Sequence, residues 1–392
     1  MKKSLCALLL LVVGCALVIA EGSINDAMLQ DLSRMSPGEA AVRLRKLPSE
    51  EAVAYGTALF QLWMRDGQNA DAEAILESTV RIAGAAAMHF KEAELLSTQA
   101  FLAQRRGQIR DAISLARRAI EGYRRSEAID AQLTMLMFLG NLQHRLGALS
   151  AALETMQELI ERREQIDDVL FYADALTEAG MLRYKVGRLE QLPTLLDEAL
   201  EIYREHEQQN GIGTIYRIYG NYHNALRDPL TALDYYERAR EHYVQTNNVH
   251  DYANISFNIG IVHVGLGAAE DAVGYFENAI ENFAAAGSFS GAGMAGTELA
   301  RALLTLNRLA EAQLIVDQAK RHLEGSQSYR RLAQAHTIHA AIRYAQGREE
   351  DALDAYREAL SIYRELGLSD DAQHVLELIN RVRDGSHRGL GI

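Results

Sequence analysis

Tyr252 to Asn282 reads YANISFNIGIVHVGLGAAEDAVGYFENAIEN. Within it Gly260 is followed seven positions on by Gly267, five further by Ala272, and then by Phe276 and Ala279 at spacings of four and three. Residues three and four apart share one helix face, so Ala272, Phe276 and Ala279 form the buried stripe of one helix. Gly260 then lies inside the preceding helix, and Gly267 marks the turn between the two.

These columns recur every 40 residues in both directions. One register holds Asp71-Ala72, Asp111-Ala112, Ala151-Ala152, Gln191-Leu192, Thr231-Ala232, Asp271-Ala272, Glu311-Ala312 and Asp351-Ala352. Seven residues on stand Thr79, Ala119, Leu159, Ala199, Ala239, Ala279, Ala319 and Ala359, mostly small, and between them large apolar residues such as Leu76, Met156, Tyr236 and Phe276. The small position of the first helix is Ala100, Gly140, Gly180, Gly220, Gly260, Ala300 and Ala340, with Phe60 in its place in the first unit. The turn glycines are Gly67, Gly107, Gly147, Gly187, Gly267 and Gly347; Arg227 and Asn307 break that column. A helical hairpin cannot bury its apolar face alone, and stacking neighbours does. The expected fold is therefore all-α, a right-handed α-solenoid of about eight helical hairpins over residues 55–383. Residues 21–54, broken at Pro37 and Pro48, read as a linker with short N-terminal cap helices; Asp370 to Arg383 reads as a C-terminal capping helix carrying Leu376 and Ile379, and 384–392 as a flexible tail. The run Gly287-Ser288-Phe289-Ser290-Gly291-Ala292-Gly293-Met294-Ala295-Gly296 is expected to delay the start of the seventh unit's first helix.

Composition agrees. The chain has 392 residues, 48% hydrophobic and 24% charged, which excludes wholesale disorder, and 4 prolines against 29 glycines suits helices joined by glycine turns. A formal charge of -13 repels phosphate backbones and argues against a general nucleic-acid partner.

Lys2 and Lys3 precede an apolar run from Leu5 to Ala20, and Val18-Ile19-Ala20 before Glu21 is an acceptable cleavage site, so residues 1–20 read as a secretory signal peptide. The run is short for a bilayer span, and the mature chain offers no later candidate for one. The expected location is outside the cytoplasm, in a bacterial periplasm. A second cut is compatible with the same stretch: Val12-Val13-Gly14-Cys15 has the form of a lipobox, which would lipidate Cys15 and anchor the protein to an envelope membrane. Both cysteines, Cys6 and Cys15, lie in this leader, so the first cut leaves neither thiol nor disulfide in the mature protein.

The columns resemble the tetratricopeptide repeat family, in its long-repeat branch, which includes the helical repeat domains of the maltose-regulon transcriptional activator and the sensor regions of bacterial signalling proteins. The resemblance implies a docking surface for proteins or peptides, with the concave wall built from the first helix of each hairpin. Carried over by register, outward positions include Asn141 in the third unit, Tyr184 in the fourth, Arg217, Asn221 and Asn224 in the fifth, and Asn254, Phe257, Ile261 and Val264 in the sixth. Arg217 and the asparagines offer a cation and amides able to bond an extended backbone or a carboxylate. Eight of the 17 tyrosines fall between Tyr203 and Tyr252, and Tyr216, Tyr222 and Tyr252 are the rim candidates. The expected function is that of an exported, non-enzymatic scaffold or adaptor holding a protein or extended peptide. A structural spacer of the envelope and a small-molecule or peptide sensor are the alternatives.

For an enzyme the sequence offers little. His336 and His339 are three apart, and His223 and His263 occupy equivalent places in adjacent repeats, where they are expected to stack across an interface. There is no HExxH, no Gly-x-Ser-x-Gly elbow and no phosphate loop, so no catalytic residue, metal or cofactor is expected.

Overall fold

The computed structural model describes residues 24–384; the expected leader, Cys15 and residues 385–392 lie outside them. Among the described residues there are nineteen α-helices and no strand. The chain divides into two compact units, one ending at Arg188 and the other beginning at Leu189.

The first unit opens on two short helices, α1 (Asp26–Ser33) and α2 (Pro37–Leu44), whose starts are written locally. The Asn25 side chain accepts from the amides of Ala27 and Met28. The segment Ser36-Pro37-Gly38-Glu39 is a capping box: Ser36 Oγ accepts from Glu39 N, the Glu39 carboxylate accepts from Ser36 N at 3.0 Å, and Pro37 takes the position where an amide hydrogen would go unused. Leu32 and Leu44 are fully buried against Leu59 and Trp63 of α3 (Ser49–Arg65). The Tyr55 hydroxyl accepts from Asn25 N at 2.8 Å and pins α1 to the same helix.

Hairpins follow: α3 with α4 (Asn69–Ala85), α5 (His89–Arg105) with α6 (Ile109–Arg125), and α7 (Ile129–Leu146) with α8 (Leu149–Ile160), then α9 (Val169–Lys185). The second unit holds α10 (Leu192–Glu205) and four hairpins: α11 (Gln209–Ala225) with α12 (Pro229–Gln245), α13 (Val249–Gly265) with α14 (Ala269–Ala285), α15 (Phe289–Thr305) with α16 (Leu309–Gly325), and α17 (Tyr329–Ala345) with α18 (Glu349–Glu365). The last helix, α19 (Ser369–Arg383), buries Val375, Leu378, Ile379 and Val382 against Tyr356, Leu360 and Tyr363 of α18.

The alanine column is the core of each hairpin: Ala72, Ala112, Ala152, Ala232, Ala272, Ala312 and Ala352 are all at 0% exposure. The first-helix glycines exist for the residue facing them. A Cβ on Gly140 would run into Met156, on Gly220 into the Tyr236 ring, and on Gly260 into the Phe276 ring. Where the facing residue is small, alanine suffices, as with Ala100 opposite Ala116. The first hairpin, with Phe60 and Thr79 out of pattern, has its glycine one turn earlier: Gly56 makes room for the Thr79 side chain.

One expectation fails. The glycine-rich run does not delay the seventh first helix, since α15 starts at Phe289 and has the same 17 residues as α13 and α17. Its glycines are packed: Gly291 lies against the Phe283 ring, Gly293 against Leu323, and Gly296 against Ala319. Tight packing on both sides, and not a break, is what selected them.

A first-helix wall and a second-helix cleft

In the second unit α13, α15 and α17 lie beside one another, and Asn258 of α13 donates to Asn221 Oδ1 of α11 at 3.4 Å. First helices therefore form one continuous wall within this unit. On it, Arg217 is half-buried, and its Nε has no hydrogen-bond partner. Its guanidinium lies beside the Tyr243 phenol, which burial pushes up and Arg217 pulls back down. Asn224 is exposed. Asn221 is turned partly inward: its Oδ1 accepts from the Tyr236 hydroxyl at 2.8 Å. Asn254 folds back onto its own helix and donates to the His250 carbonyl at 3.1 Å. Next along the wall stand Phe257, Ile261 and Val264, partly buried over the core.

The tyrosines go elsewhere. Tyr216, expected at the rim, is only 8% exposed; its hydroxyl accepts from Arg204 at 2.7 Å, and its ring packs 5.6 Å from His242 and 6.1 Å from Tyr235. The reason is register: position 216 is one residue short of the wall, so its side chain points at the second helices. Tyr222 is half-buried and meets His223 edge-on at 5.2 Å. Tyr252 lines a cleft on the second-helix side, with Arg240, Ser256, Asp271, Gly274, Tyr275 and Asn278, enclosing about 300 Å³. In the first unit Asn141 and Tyr184 are both half-buried, and burial pushes the Tyr184 phenol up. Near them His144 bridges two first helices, with Nδ1 at 2.5 Å from Glu178 Oε1 and Nε2 at 2.6 Å from Lys185 Nζ.

The histidines have structural surroundings. His223 and His263 do not stack on each other. Each lies flat on the tyrosine twelve residues later in its own hairpin, His223 on Tyr235 (5.2 Å, 17°) and His263 on Tyr275 (5.3 Å, 15°). His336 and His339 are pushed down to about 4 by burial first and then by the Lys320 ammonium. Among the described residues no group of three His, Cys, Asp or Glu side chains is placed to hold a metal ion, and no helix is long and apolar enough to cross a membrane. Sequence reasoning missed the cleft residues Ser256, Gly274 and Tyr275. Only Gly274 carried a signal, as the one glycine of its column; Ser256 shares its small size with Gly56 and Gly296, and Tyr275 repeats Tyr235.

Residues 211–285 match the tetratricopeptide repeat family model. No curated protein matches the chain by sequence. Solved structures similar to it include a Rap protein complexed with competence and sporulation factor, at 16% identity over 86% of this chain and 98% of that one, with a TM-score of 0.52. Aspartyl phosphate phosphatase F from Bacillus subtilis is similar at 14% identity, covering 83% and 92%, with a TM-score of 0.52. A signal transduction ATPase with a tetratricopeptide repeat sensor, from Pyrococcus horikoshii, is similar at 13% identity over 86% of this chain and 54% of that one, with a TM-score of 0.54. At such identities the likeness is one of fold. The repeat resemblance read from the columns holds, and the architecture is that of tetratricopeptide-like helical hairpins.

Proposed function

We propose that the protein is a non-enzymatic adaptor whose second unit holds an extended protein segment on its first-helix wall. The observation that carries this reading is a polar patch next to an apolar one on neighbouring helices. Arg217, with Nε unbonded, and exposed Asn224 stand on α11, and half-buried Phe257, Ile261 and Val264 on α13. An extended segment presents backbone amides that asparagines bond as donor and acceptor, an acidic side chain suited to a guanidinium, and apolar side chains suited to the strip beside it. The Rap protein of similar fold, solved in complex with competence and sporulation factor, is in keeping with a ligand held by such repeats. We further propose export, from the Lys2-Lys3 start and the apolar run to Ala20.

Crosslinking from a photoreactive residue at position 224 identifies the partner, and calorimetry with that partner tests the site. Arg217→Ala and Asn224→Ala are expected to weaken binding by about 1–3 kcal/mol, and Arg357→Ala on the second helix α18 to leave it within about 0.5 kcal/mol. Equal affinities for all three variants and the native chain, with helicity unchanged, would sink the wall as the binding face and leave a spacer role.

A further inference from the structure

The cleft between α12, α13 and α14 is bordered at two positions by residues smaller than most of their repeat columns, Ser256 and Gly274. The position of Ser256 is filled by the buried Leu96, Leu136, Leu176 and Tyr216 in four other hairpins; it is also small at Gly56 and Gly296, but there the Thr79 side chain and Ala319 close the space. The position of Gly274 carries a side chain in every other hairpin: Ala74, Ser114, Glu154, Thr194, Asp234, Leu314 and Asp354. Other glycines in the middle of this unit's helices are explained by a neighbour, as Gly220 is by Tyr236 and Gly293 by Leu323. A Cβ on Gly274 would meet nothing within 4 Å. Glycine mid-helix is unfavourable relative to alanine, and a buried serine contributes less apolar burial than the leucine of the other hairpins, so neither residue is the choice that stability alone would favour. Space that a fold keeps open at such a cost is a place for something else.

What fits is set by the lining. Tyr252 and Tyr275 supply ring faces, and Tyr275 is fixed by stacking on His263 and by donating its hydroxyl to Glu237 Oε1 at 3.4 Å. At the floor the Ser256 hydroxyl donates to Asn278 Oδ1 at 2.8 Å. The one cation of the lining, Arg240, is already paired with Glu237 at 2.6 Å. Asp271 has the His263 imidazole beside it, Nδ1 at 3.9 Å from Oδ2, and with its side chain 68% exposed it keeps room for a second partner. Helix α14 carries Glu270, Asp271, Glu277 and Glu281 and no Lys, Arg or His, and of these Glu270 pairs with Arg308. An incoming group therefore meets a negative field, aromatic faces and a carboxylate able to accept two parallel hydrogen bonds. A guanidinium satisfies all three, being planar, weakly hydrated and always charged.

We propose that this cleft receives an arginine side chain presented by a protein partner, stacked against Tyr252 and Tyr275 and bonded to Asp271. The site is on the second-helix side and does not depend on the wall bearing Arg217.

The test uses fluorine NMR of the fluorotyrosine-labelled protein, with the Tyr252 and Tyr275 resonances assigned through Tyr→Phe variants. Probes are the acetylated, amidated pentapeptide Gly-Gly-Arg-Gly-Gly, its glutamine counterpart, and spermidine. The arginine peptide is expected to shift both resonances saturably and the glutamine peptide not. Gly274→Leu, which puts a bulky side chain over the cleft mouth, and Asp271→Asn are each expected to raise its dissociation constant about tenfold or more. Gly274→Leu replaces glycine on an exposed helix face and should not lower the unfolding temperature, so its loss of binding is not a loss of fold. The proposal is overturned if the arginine peptide gives no saturable shift, if the glutamine peptide binds as well, or if both variants bind it like the native chain. Tighter binding of spermidine than of the peptide assigns the cleft to a diffusible amine and also overturns it.

Discussion

His339 stands between two cations, with Nδ1 3.0 Å from Lys320 Nζ and Nε2 accepting from Arg343 Nε at 3.0 Å. A neutral imidazole has one acceptor nitrogen and a protonated one has none, so every added proton worsens this contact. His336 is three residues earlier on the same helix, and Lys320, Arg343, Asp317 and Glu324 are the charges acting on the pair. Both imidazoles are held near 4 in the folded chain against an ordinary 6.5, so between those values the unfolded chain binds protons that the folded chain refuses. Stability should be fully present above pH 6.5 and fall as pH drops toward 4. Urea midpoints measured across that window check this, and His336→Gln with His339→Gln should flatten the slope; an unchanged slope removes these residues as its source. A second residue-scale pattern pairs hydroxyls between helices. Tyr123 meets Ser97 at 3.1 Å and Tyr243 meets Thr214 at 3.2 Å, while Phe283 occupies the same column where its hairpin's wall residue is Phe257. Periodicity locates that column. Whether the wall residue is free for a ligand depends on what rises beneath it, which is why Arg217, lying over Tyr243, was legible as a position and not as an environment.

At the scale of elements, the turn is what the sequence writes most plainly. Gly67, Gly107, Gly147, Gly267 and Gly347 all have φ near +77°, and the two residues that break the column take the same left-handed form, Arg227 at +60° and Asn307 at +58°. A side chain in that region costs roughly 1–2 kcal/mol, less for asparagine, which bonds its own backbone. Arg227→Gly is therefore expected to raise the unfolding free energy by roughly 0.5–1 kcal/mol after the extra freedom glycine gives the unfolded chain, and Asn307→Gly by less. Denaturant unfolding with an unchanged m-value reads this out; a loss of stability in Arg227→Gly would mean that its side chain holds the turn. A second set of left-handed residues lies between hairpins, at Ala87, Glu127, Glu207, Asn247, Gly287, Gln327 and Gly367. No shared residue type marks them, so no column was visible. The backbone closes them as it closes the glycine turns: Ala128 N donates to Tyr123 O at 3.0 Å just as Ala268 N donates to His263 O at 2.9 Å. Helix-end geometry imposes the conformation there whatever the residue.

For the molecule as a whole, each unit is a stack in which a helix meets its neighbours in sequence, so stability is a sum of hairpin and seam contributions. Export is a whole-chain property, and intact mass of protein from a bacterial envelope fraction checks it. The proposal predicts a chain beginning at Glu21, and a heavier, membrane-retained species beginning at a lipidated Cys15 would replace it with the anchored form. Uncleaved chain would remove both. The pairing of a first-helix glycine with the large residue it admits has a genetic corollary. Gly140 with Met156, Gly220 with Tyr236, and Gly260 with Phe276 each lie sixteen residues apart inside one hairpin. Recombination that duplicates or removes a whole hairpin carries both partners together, while a crossover between them can set a glycine opposite a small residue, as Gly260 would be opposite Ala116; a ring opposite alanine is already accommodated, since Ala340 and Tyr356 are paired in this way and both buried. Chimaeras spliced at the loops should therefore be more stable than those spliced at the turn glycines wherever the latter leave a glycine facing an alanine and hence a cavity.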